Sequence, residues 1–241
     1  MRLTWWGHST ALIELDGVRV LTDPVLRSRV LHLRRSAPVD AGELGRIDAV
    51  VVSHGHWDHL DLPSLDRVGR SVRVILPRGL GRLLRRRGFG DVVEVDAGEG
   101  ADVGALRVHS TPAAHAASRR RLGSKAPALG YVLTGSRRVY FAGDTDLFSS
   151  MAELAPLDLA LLPVSGWGPR LPAGHLDPLR AAEALRLLRP RVAVPIHWGT
   201  FAPWWKRESD RGPADAFVRA AAEQAPGVDV RVPTLGEALV F

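Results

Sequence analysis

Cysteine is absent from this chain of 241 residues. Without thiols the protein can form no disulfide bond, and it has no thiolate with which to bind a metal ion. Any metal that the chain binds must therefore be held by histidine, aspartate, glutamate or water.

A long apolar run is also missing. No stretch of the sequence approaches the roughly 20 consecutive apolar residues that a helix needs to cross a bilayer. The first eight residues, MRLTWWGH, lack the long apolar segment of a secretory signal peptide. We therefore expect no membrane span and a cytoplasmic location.

Lysine is nearly absent, because it occurs only at Lys125 and Lys206, and arginine supplies the other basic side chains. The formal net charge of +6 is compatible with an anionic substrate, an anionic surface or nucleic acid. The arginines are spread along the chain, however, which favours a compositional explanation over a nucleic-acid site. A small anionic substrate is the partner we expect, and the sequence leaves the oligomeric state open.

Apolar segments bounded by turn residues predict many short strands and a few helices. The strands are predicted at residues 3–6, 11–15, 18–21, 48–52, 72–76, 92–95, 106–109, 131–133, 139–141, 159–162, 192–196, 228–232 and 238–241. Helices are predicted from residue 62, over about 79–87, and over 178–188 and 213–224. No linker rich in proline or glycine divides these elements. We therefore expect one domain over residues 1–241, of the α/β class with largely mixed sheets.

Two hairpins of the predicted fold are alike. Asp16 and Gly17 form a strong turn signal, and the second strand of that hairpin ends before Asp23. A later hairpin ends in the same way before Asp144. This weak internal echo suggests two similar halves that face each other. Residues 25–45, by contrast, are polar and predict an irregular loop or lid.

The segment Ser53–His59 reads SHGHWDH and follows the apolar strand at 48–52. Three histidines and one aspartate within six positions are difficult to explain as packing at the end of a buried strand. Imidazole is a strong ligand for borderline transition metals, and carboxylate adds a harder oxygen ligand. The segment therefore predicts a metal site with room for more than one ion.

The ends of three other predicted strands also carry metal-binding side chains. His115, Asp144 and His197 each follow one of these strands. Ligand sites of α/β proteins collect outside the carboxyl ends of the strands, so these residues are expected to meet the first cluster. Seven donors on four strand ends are what a site for two metal ions needs.

The segment His54–His59 has the pattern H-x-H-x-D-H, and in this respect the chain resembles the metallo-β-lactamase fold superfamily of metal-dependent hydrolases. Further segments resemble the branch that contains N-acyl-phosphatidylethanolamine phospholipase D and L-ascorbate-6-phosphate lactonase. They are WGHST at 6–10, LTDP at 21–24, TPAAH at 111–115, FAGDT at 141–145, HLDP at 175–178 and IHWGTF at 196–201. The resemblance implies an αββα sandwich with the active site at one edge of two facing sheets.

The resemblance also implies which residue binds which ion. One ion would be held by His54, His56 and His115, and a second by Asp58, His59 and His197, with Asp144 bridging the two. Zinc is the expected metal, and manganese is the alternative. A water shared by two zinc ions becomes acidic enough to supply hydroxide near neutral pH, and that hydroxide would attack the substrate. Asp58 would also orient it, and is therefore a candidate catalytic residue.

His8 and His175 lie near the cleft in the branch that this chain resembles, so both are candidate catalytic residues. Each could bind substrate or support the metal ligands. The alternatives are structural: His8 could hold the turn at residues 6–10, and His175 could help cap the following helix. Arg119–Arg121 could bind a phosphate, or could be solvated surface. The cluster at residues 82–87 is interpreted as the solvated face of a helix.

Four functions are compatible with these residues. The hypothesis we favour is a hydrolase with two metal ions that acts on a phosphodiester or another anionic small molecule. A lactonase on the same scaffold is the alternative, and the metal ligands alone do not separate the two. A nucleic-acid phosphodiesterase is less favoured, because the chain has no room for the inserted arm of such enzymes. A binding module with a structural metal would close its coordination shell, whereas this donor set leaves positions open.

Overall fold

The computed structural model describes residues 1–39, 41–116, 126–166, 171–205 and 210–241. Within these residues the chain forms the following strands: β1 Arg2–Gly7, β2 Thr10–Leu15, β3 Val18–Thr22, β4 Arg29–Val30, β5 Leu33–Arg35, β6 Ala49–Val51, β7 Arg73–Pro77, β8 Val92–Val95, β9 Gly100–Val103, β10 Leu106–Pro112, β11 Leu129–Thr134, β12 Arg138–Phe141, β13 Leu157–Pro163, β14 Pro190–Ile196, β15 Phe201–Pro203, β16 Asp229–Val230 and β17 Ala238–Val240. The α-helices are α1 Leu62–Val68, α2 Gly81–Arg85, α3 Pro178–Leu188 and α4 Gly212–Gln224, and short 3₁₀ helices span Ala41–Leu44 and Ser149–Leu154. None of the described helices is long and apolar enough to cross a membrane.

Two seven-stranded sheets have matching strand orders. The first runs β17-β1-β2-β3-β6-β7-β8 and the second β16-β14-β13-β12-β11-β10-β9. In each sheet four antiparallel strands are followed by parallel ones. These are β17, β1, β2 and β3 before β6 to β8 in the first sheet, and β9 to β12 before β13, β14 and β16 in the second. The two halves predicted from the hairpins are therefore present in the topology, and the predicted mixed α/β fold is confirmed.

Alternation along the strands of the first sheet separates two hydrophobic clusters. Ile13 and Val20 belong to the cluster that includes Tyr131 and Leu161 of the second sheet. Their neighbours on β2 and β3, Leu12 and Leu21, belong to a second cluster, which also includes Leu65 of α1 and Leu84 of α2. Buried residues of α3 and α4, among them Leu185 and Phe217, pack in the cluster of the second sheet. This arrangement gives the four layers of an αββα sandwich.

The prediction that residues 25–45 are irregular was wrong in part. Strands β4 and β5 lie in this segment, and β5 pairs with β15 to complete a three-stranded sheet. Val25, Val30 and Leu33 are buried there in a cluster with Phe201. Strands of two and three residues are too short to show an alternating pattern, so the sequence did not predict them.

Local signals were reliable where a single residue determines the geometry. Asp16 and Gly17 both have a positive φ, at 51° and 77°, as a two-residue hairpin turn requires. Asp177 caps α3, because its side chain accepts a hydrogen bond from the Arg180 amide at 2.9 Å. The strand predicted at 228–232 is shorter, Asp229–Val230, and β9 was not predicted.

Candidate metal centre

The ends of β6, β10, β12 and β14 bring the seven predicted metal ligands to one edge of the two sheets. The loop after β6 carries four of them, because a turn at residues 55–59 folds the segment back on itself. The other three follow β10, β12 and β14 within a few residues. Groups of their donor atoms lie within 4.8 Å of one another. The set consists of His54, His56, Asp58, His59, His115, Asp144 and His197.

One cluster of donor atoms is made of three imidazoles. The Nδ1 atom of His56 lies 2.9 Å from Nε2 of His54 and 3.3 Å from Nε2 of His115. The Nδ1–H group of His115 donates to the carbonyl of Gly174 at 2.9 Å, which leaves its Nε2 lone pair directed at the cluster. Metal-binding histidines are oriented in this way by a hydrogen bond from the other ring nitrogen.

A second cluster is formed by Asp58, His59 and His197. Oδ2 of Asp58 lies 3.7 Å from Nε2 of His59 and 3.9 Å from Nε2 of His197. The Nδ1–H of His197 donates to the carbonyl of Ser165 at 2.7 Å, and that of His59 donates to Oδ2 of Asp23 at 2.6 Å. With Nδ1 engaged in this way, each of the two rings directs Nε2 at the second cluster.

Asp144 lies between the two clusters. Its Oδ2 atom is 3.2 Å from Nε2 of His59 and 3.9 Å from Nε2 of His54, and its Oδ1 atom is 3.2 Å from Nε2 of His197. One carboxylate thus contacts donors of both groups, which is the position that a bridging ligand requires.

Three buried atoms of the site have no hydrogen-bond partner: Nε2 of His59, Nε2 of His197 and Oδ1 of Asp144. Leaving a buried polar atom unpaired costs about 1–3 kcal/mol, so such atoms call for an explanation. A divalent ion at each cluster would satisfy all three. Nitrogen and carboxylate donors without sulfur suit zinc and manganese, so the residues present fit the expected metal ions.

The electrostatics of the site favour neutral imidazoles in one place and positive charge in another. Burial, with some help from His59, lowers the pKa of His56 to about 4 and that of His54 well below its usual value. Burial also opposes charge on His59, yet Asp144, Asp58 and Asp23 together raise the pKa of His59 well above its usual value. Three carboxylates around one imidazole leave this part of the site in need of a cation.

His8 follows β1, and its side chain reaches the second cluster. The ring is buried, and its Nε2 atom lies 3.2 Å from Oδ2 of Asp58. Burial, together with His197, lowers the pKa of His8 to about 3, so the neutral ring donates its Nε2–H to the carboxylate. The backbone of His8 also holds its turn, because its amide donates to Thr200 Oγ1 at 2.6 Å. The backbone amide of His8 thus holds the turn while its ring contacts Asp58, and a catalytic role for His8 stays a prediction.

His175 lies on the wall of the cavity above the donors. Its Nε2 atom is 3.3 Å from Oδ2 of Asp144, and its Nδ1–H donates to the carbonyl of Pro172 at 3.1 Å. The capping side chain of α3 is Asp177, so the alternative that His175 serves as a cap has no support. The cavity measures about 350 Å³. Its described lining consists of His56, Asp58, His115, Ala116, Asp144, Gly166, Pro172, Ala173, His175 and His197.

Asp23 and Ser53 support the metal donors, and the sequence analysis did not propose either as a site residue. Asp23 is fully buried, and its Oδ1 and Oδ2 atoms accept hydrogen bonds from the Ser53 amide at 2.7 Å and the Ser53 hydroxyl at 2.5 Å. Oδ2 also accepts the Nδ1–H of His59. The signal for Asp23 was present, because it ends the first hairpin as Asp144 ends the second.

No described residue of the two arginine clusters, at 82–87 and 119–121, lines the cavity above the metal donors. Arg119–Arg121 lie outside the described residues. Within the other cluster, Arg85 pairs with Glu94 at 2.6 Å and Arg87 with Asp66 at 2.5 Å. These partly exposed ion pairs agree with the predicted solvated face of a helix.

Comparison with known proteins identifies relatives over the whole length of the chain. Residues 18–198 match the family model of the beta-lactamase superfamily domain. A metal-dependent hydrolase of Methanopyrus kandleri is 34% identical over 98% of this chain and 98% of its own. An N-acyl-phosphatidylethanolamine-hydrolyzing phospholipase D of Caenorhabditis elegans is 32% identical over 82% of this chain and 64% of its own length. The solved structure of a metallo hydrolase from Ignicoccus hospitalis superposes with a TM-score of 0.75, at 27% identity, over 100% of this chain and 97% of its own.

Proposed function

The chain belongs to the β-lactamase superfamily and is a metal-dependent hydrolase of the metallo-β-lactamase fold. On that premise we propose that the protein uses two divalent metal ions to cleave a phosphodiester bond in a small anionic molecule. The observation that carries the proposal is the pair of donor clusters that share Asp144. The relative named as a phospholipase D supports a phosphodiester as the bond that is cleaved.

In this proposal His54, His56 and His115 would hold one ion, Asp58, His59 and His197 would hold the other, and Asp144 would be shared between them. Zinc is the metal we expect, with manganese as the alternative. Bound ions of this kind acidify a water molecule and neutralise charge that develops on the substrate. The protein contributes the orientation of each donor, through the hydrogen bonds of His59, His115 and His197 to their acceptors.

Asp58 and His8 act together in the proposed mechanism. The Nε2–H of His8 donates to Oδ2 of Asp58 and so fixes the rotation of the carboxylate. Asp58 then orients the attacking water by accepting one of its protons in a hydrogen bond. Because His8 is buried, this contact is shielded from solvent, which strengthens it.

His175 is proposed to contact the substrate. Its ring lies on the cavity wall, where Nε2 can donate to a phosphoryl oxygen when the ring is protonated, because the Nδ1–H is already given to the carbonyl of Pro172. Ala116, Gly166 and Ala173 make the rest of that wall small and leave room for the substituents of a diester. A cavity of about 350 Å³ is at the lower end of the range for small-molecule sites, which fits a small substrate or one head group.

Lactone hydrolysis is the second candidate, and one observation favours it. Among the described residues that line the cavity there is no arginine and no lysine to bind a phosphate charge. A neutral lactone carbonyl needs no such cation, whereas the phosphate of a sugar-phosphate lactone does, so this observation favours an uncharged lactone. The preference for a phosphodiester therefore depends on the metal ions and His175 as the groups that meet the substrate charge.

Kinetics on matched substrates test the proposal. Protein loaded with two equivalents of zinc or of manganese is assayed with bis(4-nitrophenyl) phosphate, a glycerophosphodiester, a sugar-phosphate lactone and a short RNA. We expect the highest kcat/KM on a phosphodiester of low molecular weight, a large loss in Asp58→Asn, and no change in the control Leu179→Ala, which alters an exposed helix residue. A higher kcat/KM on the lactone, or on RNA, contradicts the proposal. The single domain over residues 1–241 and the cytoplasmic location stay predictions.

A further inference from the structure

The three-stranded sheet formed by β4, β5 and β15 carries an unusual exposed surface. The β4–β5 turn contributes Leu31, and the residues directly after β15 contribute Trp204 and Trp205. The two strands of the turn contribute Arg29 and Arg34. We name these five residues the tryptophan face.

Large apolar side chains of this face are open to solvent. Leu31, Trp204 and Trp205 are 66%, 65% and 62% exposed. The two indole rings contact each other edge to face at 5.7 Å, and the Trp204 amide donates to the carbonyl of His32. The indoles are therefore attached to the β4–β5 turn while most of their surface remains in water. Exposed apolar clusters of this kind mark surfaces that bind a protein, a membrane or a ligand.

The same face carries two arginines that have no carboxylate partner among the described residues. Arg29 and Arg34 are directly opposite each other in the antiparallel pair of β4 and β5. Among the described residues neither has a carboxylate within ion-pair distance, although neighbouring Arg27 is paired with Asp61 at 2.5 Å. Like charges opposite each other destabilise a strand pair, and an anionic partner at this surface would remove that repulsion.

The tryptophan face lies close to the metal centre along the chain and in space. Strand β15 begins four residues after His197, and the ring of Phe201 meets the His8 ring at 5.4 Å with an interplanar angle of 83°. Whatever binds the exposed face is therefore brought to the end of the molecule at which the donor clusters lie.

We propose that the tryptophan face docks the protein on the surface of an anionic phospholipid bilayer. Indole rings prefer the interface between head groups and acyl chains, where an apolar ring and a polar N–H are both accommodated. Arginines beside them bind lipid phosphates and gain from the negative surface potential of anionic lipids. Two exposed indoles, one exposed leucine and two exposed arginines match this partner in both apolar character and charge. The proposal does not depend on which bond the metal centre cleaves.

Vesicle co-sedimentation tests the proposal without any turnover. The full-length protein is mixed with vesicles of phosphatidylcholine alone, or of phosphatidylcholine with about one third phosphatidylglycerol, at low and at high salt. We expect binding to the anionic vesicles that weakens with salt, since surface charge is screened over about 8 Å at physiological ionic strength. The double variant Trp204→Ala/Trp205→Ala and the double variant Arg29→Gln/Arg34→Gln should each weaken binding by roughly tenfold or more.

A matched control separates local docking from net charge. The double variant Arg186→Gln/Arg219→Gln also removes two positive charges, but from exposed positions on α3 and α4. It should leave vesicle binding within about twofold of that of the unchanged protein. Equal losses in both arginine pairs would overturn the proposal in favour of diffuse attraction. Three other results would overturn the proposal. They are equal binding to neutral and anionic vesicles, a protein that is dimeric in solution and becomes monomeric only in the tryptophan variant, and binding of single-stranded RNA in place of vesicles. Failure of the phosphodiesterase assays leaves this result unaffected, so the two proposals are tested separately.

Discussion

Replacing Asp23 by asparagine should weaken metal binding without unfolding the protein. In the unchanged protein the carboxylate accepts the Ser53 amide at Oδ1, and the Ser53 hydroxyl and the His59 Nδ1–H at Oδ2. An asparagine has only one acceptor oxygen, and its NH₂ group must replace the other. If the amide oxygen keeps the Ser53 amide, the NH₂ group faces His59 Nδ1, donor against donor. His59 escapes this conflict by moving its proton to Nε2, the atom that is directed at the second donor cluster.

The size of the effect follows from these contacts. Loss of an acceptor that orients a metal-binding histidine typically lowers metal affinity about 10–100-fold. Loss of charge-assisted hydrogen bonds in a fully buried place costs about 1.5–3 kcal/mol of stability. We therefore expect D23N to be folded, less stable by about 2 kcal/mol without metal, and to lose one of two ions at a chelator concentration that spares both in the unchanged protein.

A chromophoric chelator reports the ions released during titration, and urea unfolding of metal-free protein reports the stability. Asp61→Asn is the matched control, since Asp61 is just as buried and accepts hydrogen bonds from Arg27 and Ser64, but from none of the metal donors. It should lose stability and keep the affinity for both ions. If D23N binds both ions as tightly as the unchanged protein does, Asp23 does not set the tautomer of His59 and the reasoning is refuted.

Three further predictions concern the metal ions and the fold. Removal of metal with EDTA should abolish hydrolysis and lower Tm, because an ion at a free concentration of about 1,000 times its Kd stabilises the fold by roughly 4 kcal/mol. Added zinc or manganese should restore both the activity and the Tm. An unchanged Tm would show that the clusters bind no ion. His56→Ala should lose metal while its circular dichroism spectrum stays that of the unchanged protein, because His56 is only half-buried; global unfolding would instead indicate a structural metal. Arg35→Met should lower the free energy of unfolding in urea by about 3 kcal/mol, because the buried guanidinium donates to the carbonyls of Trp6, Val25 and Ala37; Arg35→Lys should recover part of the loss, and equal stability of all three proteins would contradict this role.

Much of the fold and of the candidate site could be predicted from local spacing. The turn at Asp16 and Gly17 and the cap at Asp177 are properties of a few neighbouring residues, so the sequence displays them directly. The cluster His54–His59 is equally local, because one turn after one strand presents its four donors together. Strand ends then indicated the remaining ligands, since the parallel strands of a sheet end at the same edge.

Other features could not be predicted because they join distant parts of the chain. The contact of His8 with Asp58 spans fifty residues, and that of His59 with Asp23 spans thirty-six. Arg35 would be expected at the surface from its charge, yet it is buried where three carbonyls accept its hydrogen bonds. Trp204 and Trp205 would be expected in the core, yet both are exposed.

The sequence by itself therefore determined the kind of chemistry, because a metal ligand is recognised by its type and by its spacing within one turn or at one strand end. Only the tertiary structure decided which residues support those ligands and which surface remains open. Burial and hydrogen-bond partners of a side chain depend on how two sheets and a small third sheet pack together. No run of neighbouring residues carries that information, since the groups that meet belong to segments far apart in the chain.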